Sequence, residues 1–229
     1  MTNDSDKNGK YQCVLFDFDG TLVPSLDYWL NGFKHAFAEL GHTIDEDEII
    51  KGCFYRDDDV IAQTFGVECH KTFWQLVQHK IMSHYDTAEL FPGARDLLNR
   101  LRQAGVPIAL VTSSERPVIE KAFHHLNLHG VFQAVVTADD VENLKPSAEP
   151  VLAALSKIGK MPQEALFIGD YIVDVKAGKA AGTDTALFFA DSHRRFHKEE
   201  LLKESQPDFM FDSYQNLRER LTHLLAISI

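Results

Sequence analysis

Cysteine is scarce in this chain: Cys13, Cys53 and Cys69 are the only three among 229 residues. An odd, scattered set excludes a disulfide framework and gives no paired thiolate spacing for zinc, so a reducing, cytoplasmic setting is expected. Positive charge is also in short supply. Lys and Arg number 23 against 34 Asp and Glu, a formal charge of −11, which speaks against nucleic acid and an anionic membrane surface as partners. No apolar run approaches the ~20 residues of a membrane span. Residues 1–9 are polar, lack the apolar stretch of a signal peptide and are expected to be disordered. Hydrophobic residues make up 45% of the chain, enough for one main core and a smaller appended unit.

The apolar pattern is periodic. Short strand-like runs at 12–16, 106–111, 132–137, 165–168, 185–189 and 209–211 alternate with amphipathic segments at 94–104, 117–126, 148–158 and 173–181. Gly105, Gly159 and Gly182 stand where helix C-caps belong. Strands alternating with helices of this length predict βα units on a doubly wound, parallel, Rossmann-like α/β sheet. One interval breaks the alternation. From 24 to 90 only helical periodicity is present, at 26–40, 45–50, 57–65 and 72–85. This interval is expected to form a small all-helical cap inserted after the first strand, with 10–23 and 91–229 as the core. The alternative is four helices packed on one face of the sheet. Trp29, Phe33, Phe37, Phe73 and Trp74 are expected to form the insertion's own core, not a ligand cage.

Four strand ends carry chemistry. In Phe16-Asp17-Phe18-Asp19-Gly20-Thr21 two carboxylates two residues apart follow an apolar strand. In extended backbone they point the same way, at the edge where open α/β sheets bind ligands. Adjacent carboxylates repel unless a cation or a shared proton relieves them. Val111-Thr112-Ser113-Ser114 ends a second strand in three hydroxyls able to donate to phosphoryl oxygens. Lys145-Pro146 follows the third, with Pro146 holding Lys145 extended. Gly169-Asp170, with Asp174 four residues on, ends the fourth, and such oxygen ligands suit Mg²⁺. Each signal has a second reading when taken alone: an Asx turn for the Asp pair, helix capping for the hydroxyls, a solvated surface charge for Lys145, and dipole-complementing acidity for Asp170 and Asp174.

Taken together and in order, these motifs resemble the haloacid dehalogenase-like hydrolase superfamily, in particular its small helical-cap branch similar to phosphoglycolate phosphatase and β-phosphoglucomutase. The resemblance implies a phosphatase of a small phosphorylated metabolite, acting as a monomer or homodimer. In it Asp17 is the nucleophile that forms an aspartyl-phosphate and Asp19 the general acid and base. Thr112 and Lys145 bind the transferring phosphoryl group, together with Gly20, Thr21 and Ser113. Mg²⁺ is held by the Asp17 carboxylate, the Asp19 main-chain carbonyl and Asp170, with Asp174 in support. An Asp at position 19 disfavours dehalogenase and phosphonatase chemistry. A phosphosugar mutase uses the same residues, and a catalytically silent binding or regulatory protein on this fold is the alternative of another class.

The chain departs from the family pattern at Pro24, at Ser147-Ala148 after Lys145-Pro146, and at Tyr171, where Ser or Thr is usual. Within Lys51-Gly52-Cys53-Phe54-Tyr55-Arg56, Arg56 is a candidate contact for the remote end of a phosphate ester; a solvated interhelix connection accounts for the segment equally well. Asp57-Asp58-Asp59 reads as a helix start. His125 with His129, and His193 with His197, share i,i+4 spacing and are expected at the surface.

Overall fold

The computed structural model describes residues 9–56 and 58–225. Apart from Gly9, the segment expected to be disordered lies outside the described residues, as does Asp57. Six strands form one parallel sheet: β1 (Cys13–Phe16), β2 (Ile108–Val111), β3 (Ala134–Val136), β4 (Ala165–Gly169), β5 (Asp184–Phe188) and β6 (Phe209–Phe211). They are ordered β3-β2-β1-β4-β5-β6. All six apolar runs are strands, with no end displaced by more than two residues.

Strand order explains where a site can form. From β1 the chain builds outward through β2 to β3, then crosses back to β4 and builds the other way. The reversal falls between β1 and β4, where adjacent connections diverge and leave a crevice at the carboxyl ends. Phe16 pairs with Ile168 across that junction, and the Asp17 amide donates to the Ile168 carbonyl (2.8 Å). Asp17 and Asp170 therefore emerge side by side.

The strands are buried on both faces, as parallel sheets require. Alternation along β1 separates the two layers. Cys13 and Leu15 pack with Val151 and Leu155 of α7 (Glu149–Ile158) and Ala177 of α8 (Ile172–Ala181). Val14 and Phe16 face the other way, toward Leu97 and Leu101 of α5 (Ala94–Gln103) and Ile119 of α6 (Arg116–Leu126). Leu217 and Leu221 of α10 (Tyr214–Leu224) complete that layer. A short helix, α9 (Glu199–Glu204), precedes β6.

Between β1 and α5 lie the four helices read from the periodicity: α1 (Leu26–Glu39), α2 (Glu46–Cys53), α3 (Asp58–Phe65) and α4 (His70–His84). Asp45 starts α2 by accepting the Asp47 amide (2.9 Å). Phe37, Phe65 and Phe73 interlock at the centre of the insertion, with ring centroids 5.0 Å (Phe37–Phe65) and 4.9 Å (Phe37–Phe73) apart. The chain leaves and returns at one point, where the Phe91 amide donates to the Leu22 carbonyl (2.9 Å). Among the described residues no helix is long and apolar enough to cross a membrane.

Candidate active site

Asp17 follows β1 directly and is 5% exposed. Its Oδ1 accepts from Lys145 Nζ (2.7 Å) and its Oδ2 from the Thr21 hydroxyl (3.3 Å). The same ammonium donates to Asp174 Oδ1 (2.6 Å) and to the Val111 carbonyl (3.3 Å). Lys145 is therefore no solvated surface charge: its side chain is 4% exposed, and it arrives after β3 on a cis Lys145–Pro146 bond. Burial alone lowers the ammonium's affinity for its proton, but Asp17 and Asp174 overturn this and hold it raised. Burial pushes the Asp17 carboxyl up, Lys145 opposes that, and the charges of Asp174 and Asp170 add to it. Three carboxylates around one ammonium leave an excess of negative charge.

Asp17, Asp170 and Asp174 each offer a carboxylate oxygen within 4.8 Å of the others. Asp170 is fully buried, and burial pushes its carboxyl up to about 7, with His193 working in the opposite direction. Its Oδ2 is engaged by His197 Nε2 (2.9 Å) and, at longer range, by the Tyr55 hydroxyl (3.4 Å). Its Oδ1 is buried with no hydrogen-bond partner among the described residues. A buried, unpartnered oxygen on a carboxylate of this acidic cluster fits a hard divalent cation. Two glycines make this approach possible. A Cβ on Gly20 (φ +75°) would lie 2.3 Å from Asp170 Oδ2, and one on Gly169 the same 2.3 Å from Asp174 Cβ.

The Asp19 carboxylate faces away from that cluster. Oδ1 accepts from the hydroxyls of Ser25 (2.6 Å) and Tyr85, and Oδ2 from Ser114 (2.6 Å). The two carboxylates of the opening motif are thus sorted into different surroundings, one beside an ammonium and the other among hydroxyls. Ser114, readable as a helix cap, serves Asp19; the residue at the N-cap of α6 is Glu115. Thr112 is buried, and its oxygen accepts the Ser114 amide (3.1 Å), leaving its proton free to be donated outward.

A cavity of about 560 Å³ opens over these groups. Asp17, Asp19, Thr112, Ser113, Lys145 and Asp174 form its polar floor, and Arg56 lies on its rim. Gly20 and Thr21 sit beneath the floor, where the Gly20 carbonyl accepts from His193 Nε2 (2.7 Å) and the Thr21 carbonyl from the Tyr214 hydroxyl (2.7 Å).

Two expectations need correction. His193 and His197 are not surface residues; they are 1% and 3% exposed. His193 is pinned by the Ala190 amide donating to Nδ1 (2.8 Å) and His197 sits on Asp170, so that burial depresses the His197 imidazole to about 4. Their i,i+4 spacing was visible, but the carboxylate they meet comes from a distant strand end. Nor do all the insertion's aromatics form its own core. Phe33, Phe37 and Phe73 are buried in it, whereas Trp29 and Trp74 pack against it half-buried and line the cavity. His125 and His129 are exposed, as expected. Tyr55, which stands beside Arg56 in the segment noted above but carries no motif of its own, stacks on Tyr171 with centroids 3.8 Å apart.

Residues 14–188 match the family model of the haloacid dehalogenase-like hydrolases. The chain belongs to that family. This haloacid dehalogenase-like hydrolase is 30% identical over 220 residues to the pyrophosphatase PpaX of Bacillus cereus, covering 91% of this chain and 95% of that protein. A candidate phosphoglycolate phosphatase of Lactobacillus plantarum superposes with a TM-score of 0.79 at 26% identity, over 92% of this chain and 99% of the other. A hydrolase of the family from Deinococcus radiodurans, solved with bound phosphate and sodium, shares the fold with a TM-score of 0.76 at 23% identity, over 96% of this chain and 100% of that one. The hydrolase is an enzyme of the phosphatase type.

Proposed function

We propose that the chain is a Mg²⁺-dependent phosphomonoesterase that works through an aspartyl-phosphate. The observation that carries this reading is the placement of Asp17: a buried carboxylate with Lys145 and Thr21 on its oxygens, at the floor of a cavity and beside Asp170 and Asp174. No other carboxylate on that floor combines a cationic partner with a place at the strand end.

In this reading Asp17 attacks phosphorus, the bond from phosphorus to the ester oxygen breaks, and Asp19 delivers a proton to the departing oxygen. A water molecule then attacks the acyl phosphate, giving its proton back to Asp19 and releasing phosphate and free Asp17. The three hydroxyls on Asp19 hold its carboxyl in one orientation for both transfers. Lys145 and Thr112 bind phosphoryl oxygens whose charge must be stabilised during transfer. The Asp17 and Asp170 carboxylates and the Asp19 main-chain carbonyl would hold Mg²⁺, with Asp174 supporting. When bound, the ion supplies positive charge where carboxylates and phosphoryl oxygens meet.

Residues 24–90 act as the cap over a core of 10–23 and 91–229, excluding water and reading the leaving group. Arg56 contributes from the cap rim. The test is phosphate release from a panel of phosphate monoesters with and without Mg²⁺, using Asp17→Asn as the comparison. Turnover is expected to need the cation and to fall at least about 10³-fold in the variant. Unchanged release in Asp17→Asn would overturn the nucleophile, and a bisphosphate-activated isomerisation without net phosphate release would make the chain a mutase.

A further inference from the structure

The cavity above Asp17 is larger and more aromatic than a phosphoryl group needs. Its volume of about 560 Å³ falls in the range that encloses a drug-sized ligand of many heavy atoms. Phosphate anchored at Lys145 and Thr112 occupies only the floor. Above it the wall is made by Trp29, Phe33 and Trp74, with Phe54 and Tyr55 beside them.

These rings are arranged as a wall. Phe33 buttresses both tryptophans, with centroids 6.2 Å from Trp29 and 5.9 Å from Trp74, the latter edge-on. Phe33 is buried, whereas Trp29 and Trp74 are half-buried and present surface to the cavity. Half-buried tryptophan lining the cavity whose floor holds Asp17 is what a flat, apolar ligand part covers on binding. Gln75 and Gln78 add amide donors and acceptors to the same wall, while Arg56 and Lys71 bring charge to it. Amide groups beside aromatic faces suit a ring with polar edges better than an aliphatic chain.

We propose that the ester turned over here carries a flat aromatic ring, held against the Trp29–Phe33–Trp74 wall while its phosphate sits over Asp17. The proposal rests on the phosphomonoesterase reading and narrows its substrate class. Inorganic pyrophosphate and two-carbon phosphate esters have no group to place against this wall.

One pair of esters isolates the ring. Adenosine 5′-monophosphate and ribose 5-phosphate share the phosphate and the sugar and differ in the base. With Mg²⁺ present, kcat/KM for adenosine 5′-monophosphate, for pyridoxal 5′-phosphate, or for both should exceed that for ribose 5-phosphate and phosphoglycolate at least about tenfold, the scale of one aromatic stacking contact. If neither aromatic ester outruns the small ones, the proposal is overturned while the phosphatase reading stands.

Binding gives an independent readout, because Trp29 and Trp74 are the only two tryptophans of the chain. Titrating the Asp17→Asn protein with adenosine 5′-monophosphate and with pyridoxal 5′-phosphate should change tryptophan emission saturably for at least one of them, and ribose 5-phosphate should not. Such a change, alongside no phosphate release from any ester by the unmodified protein, would sink the phosphatase reading and leave the ring site standing. No emission change with either aromatic ester would overturn the ring site. Trp74→Leu, which keeps apolar bulk, should lower the ratio of kcat/KM between the preferred aromatic ester and ribose 5-phosphate about tenfold. A general loss of folded enzyme lowers both values and leaves the ratio unmoved, and an unmoved ratio counts against the wall.

Discussion

His197 Nε2 lies 2.9 Å from Asp170 Oδ2 in a fully buried contact, and this contact leaves Asp170 Oδ1 as the oxygen without a partner. A carboxylate oriented by an imidazole behind it is a recurring way of presenting one oxygen to a cation. His197→Ala is therefore expected to weaken divalent-cation binding about 10–100-fold. The check is the concentration of Mg²⁺ that half-maximally raises Tm, and of Mn²⁺ by electron paramagnetic resonance. His197→Gln, which keeps a donor, should recover part of the loss. Equal affinity in all three proteins would show that Asp170 orients itself.

Lys145 is the ammonium that separates Asp17 from Asp174. Lys145→Met strands two buried carboxylates, and breaking a buried pair from one side costs about 3–5 kcal/mol. At roughly 2–4 °C per kcal/mol for a chain of this size, a Tm drop of ten degrees or so is expected. Saturating Mg²⁺ should narrow that gap, since it replaces some of the missing charge. A Tm within two degrees of the parent protein, without metal, would contradict this account of the pair.

Gly20 has φ +75° and leaves no room for a Cβ beside Asp170. Gly20→Ala should lower stability by about 1–3 kcal/mol from backbone strain alone, and should displace the Asp170 carboxylate as well. Thermal unfolding reads the first effect and cation affinity the second. A variant with unchanged Tm and unchanged affinity would mean that the turn relaxes freely.

The three thiols are sharply graded. Burial pushes Cys13 and Cys53 up to about 12, so neither ionises at neutral pH. Cys69 is exposed, and its contact with the Thr72 hydroxyl (3.0 Å) lowers its thiol. Because the thiolate is the reactive form, one equivalent of a thiol reagent should react quickly at pH 8 in the folded protein, and faster as pH rises. Cys69→Ser should abolish that fast phase, with the other two thiols appearing only on unfolding.

What could be read in advance follows the range of the interactions. Asp17, Thr112, Lys145 and Asp170 each follow a run of strand period, so local pattern placed them, and the parallel sheet gathered them at one edge. The sorting of Asp17 from Asp19 was not local: it depends on Ser25, Ser114 and Tyr85 arriving from three segments. His193 and His197 carry a helical spacing that suits a solvated turn just as well, and only the pairing of β4 with β5 brings Asp170 against them. Trp29 and Trp74 were ambiguous for another reason. An apolar stripe on an insertion helix has the same composition whether it faces a packed interior or an empty cavity.

Tyr55 has φ +57° on the loop after α2, and it stacks on Tyr171 at the start of α8. The two rings are one of several contacts that join residues 24–90 to the rest of the chain, alongside Phe54–Phe196 and Tyr85–Asp19. For protein engineering this makes them a matched pair. A chimera that exchanges residues 24–90 for those of a relative would strip Tyr171 of its stacking partner and leave only His197 against its ring. Grafts that carry both positions together are the ones expected to keep the donor's selectivity, because the joint travels with the piece it joins.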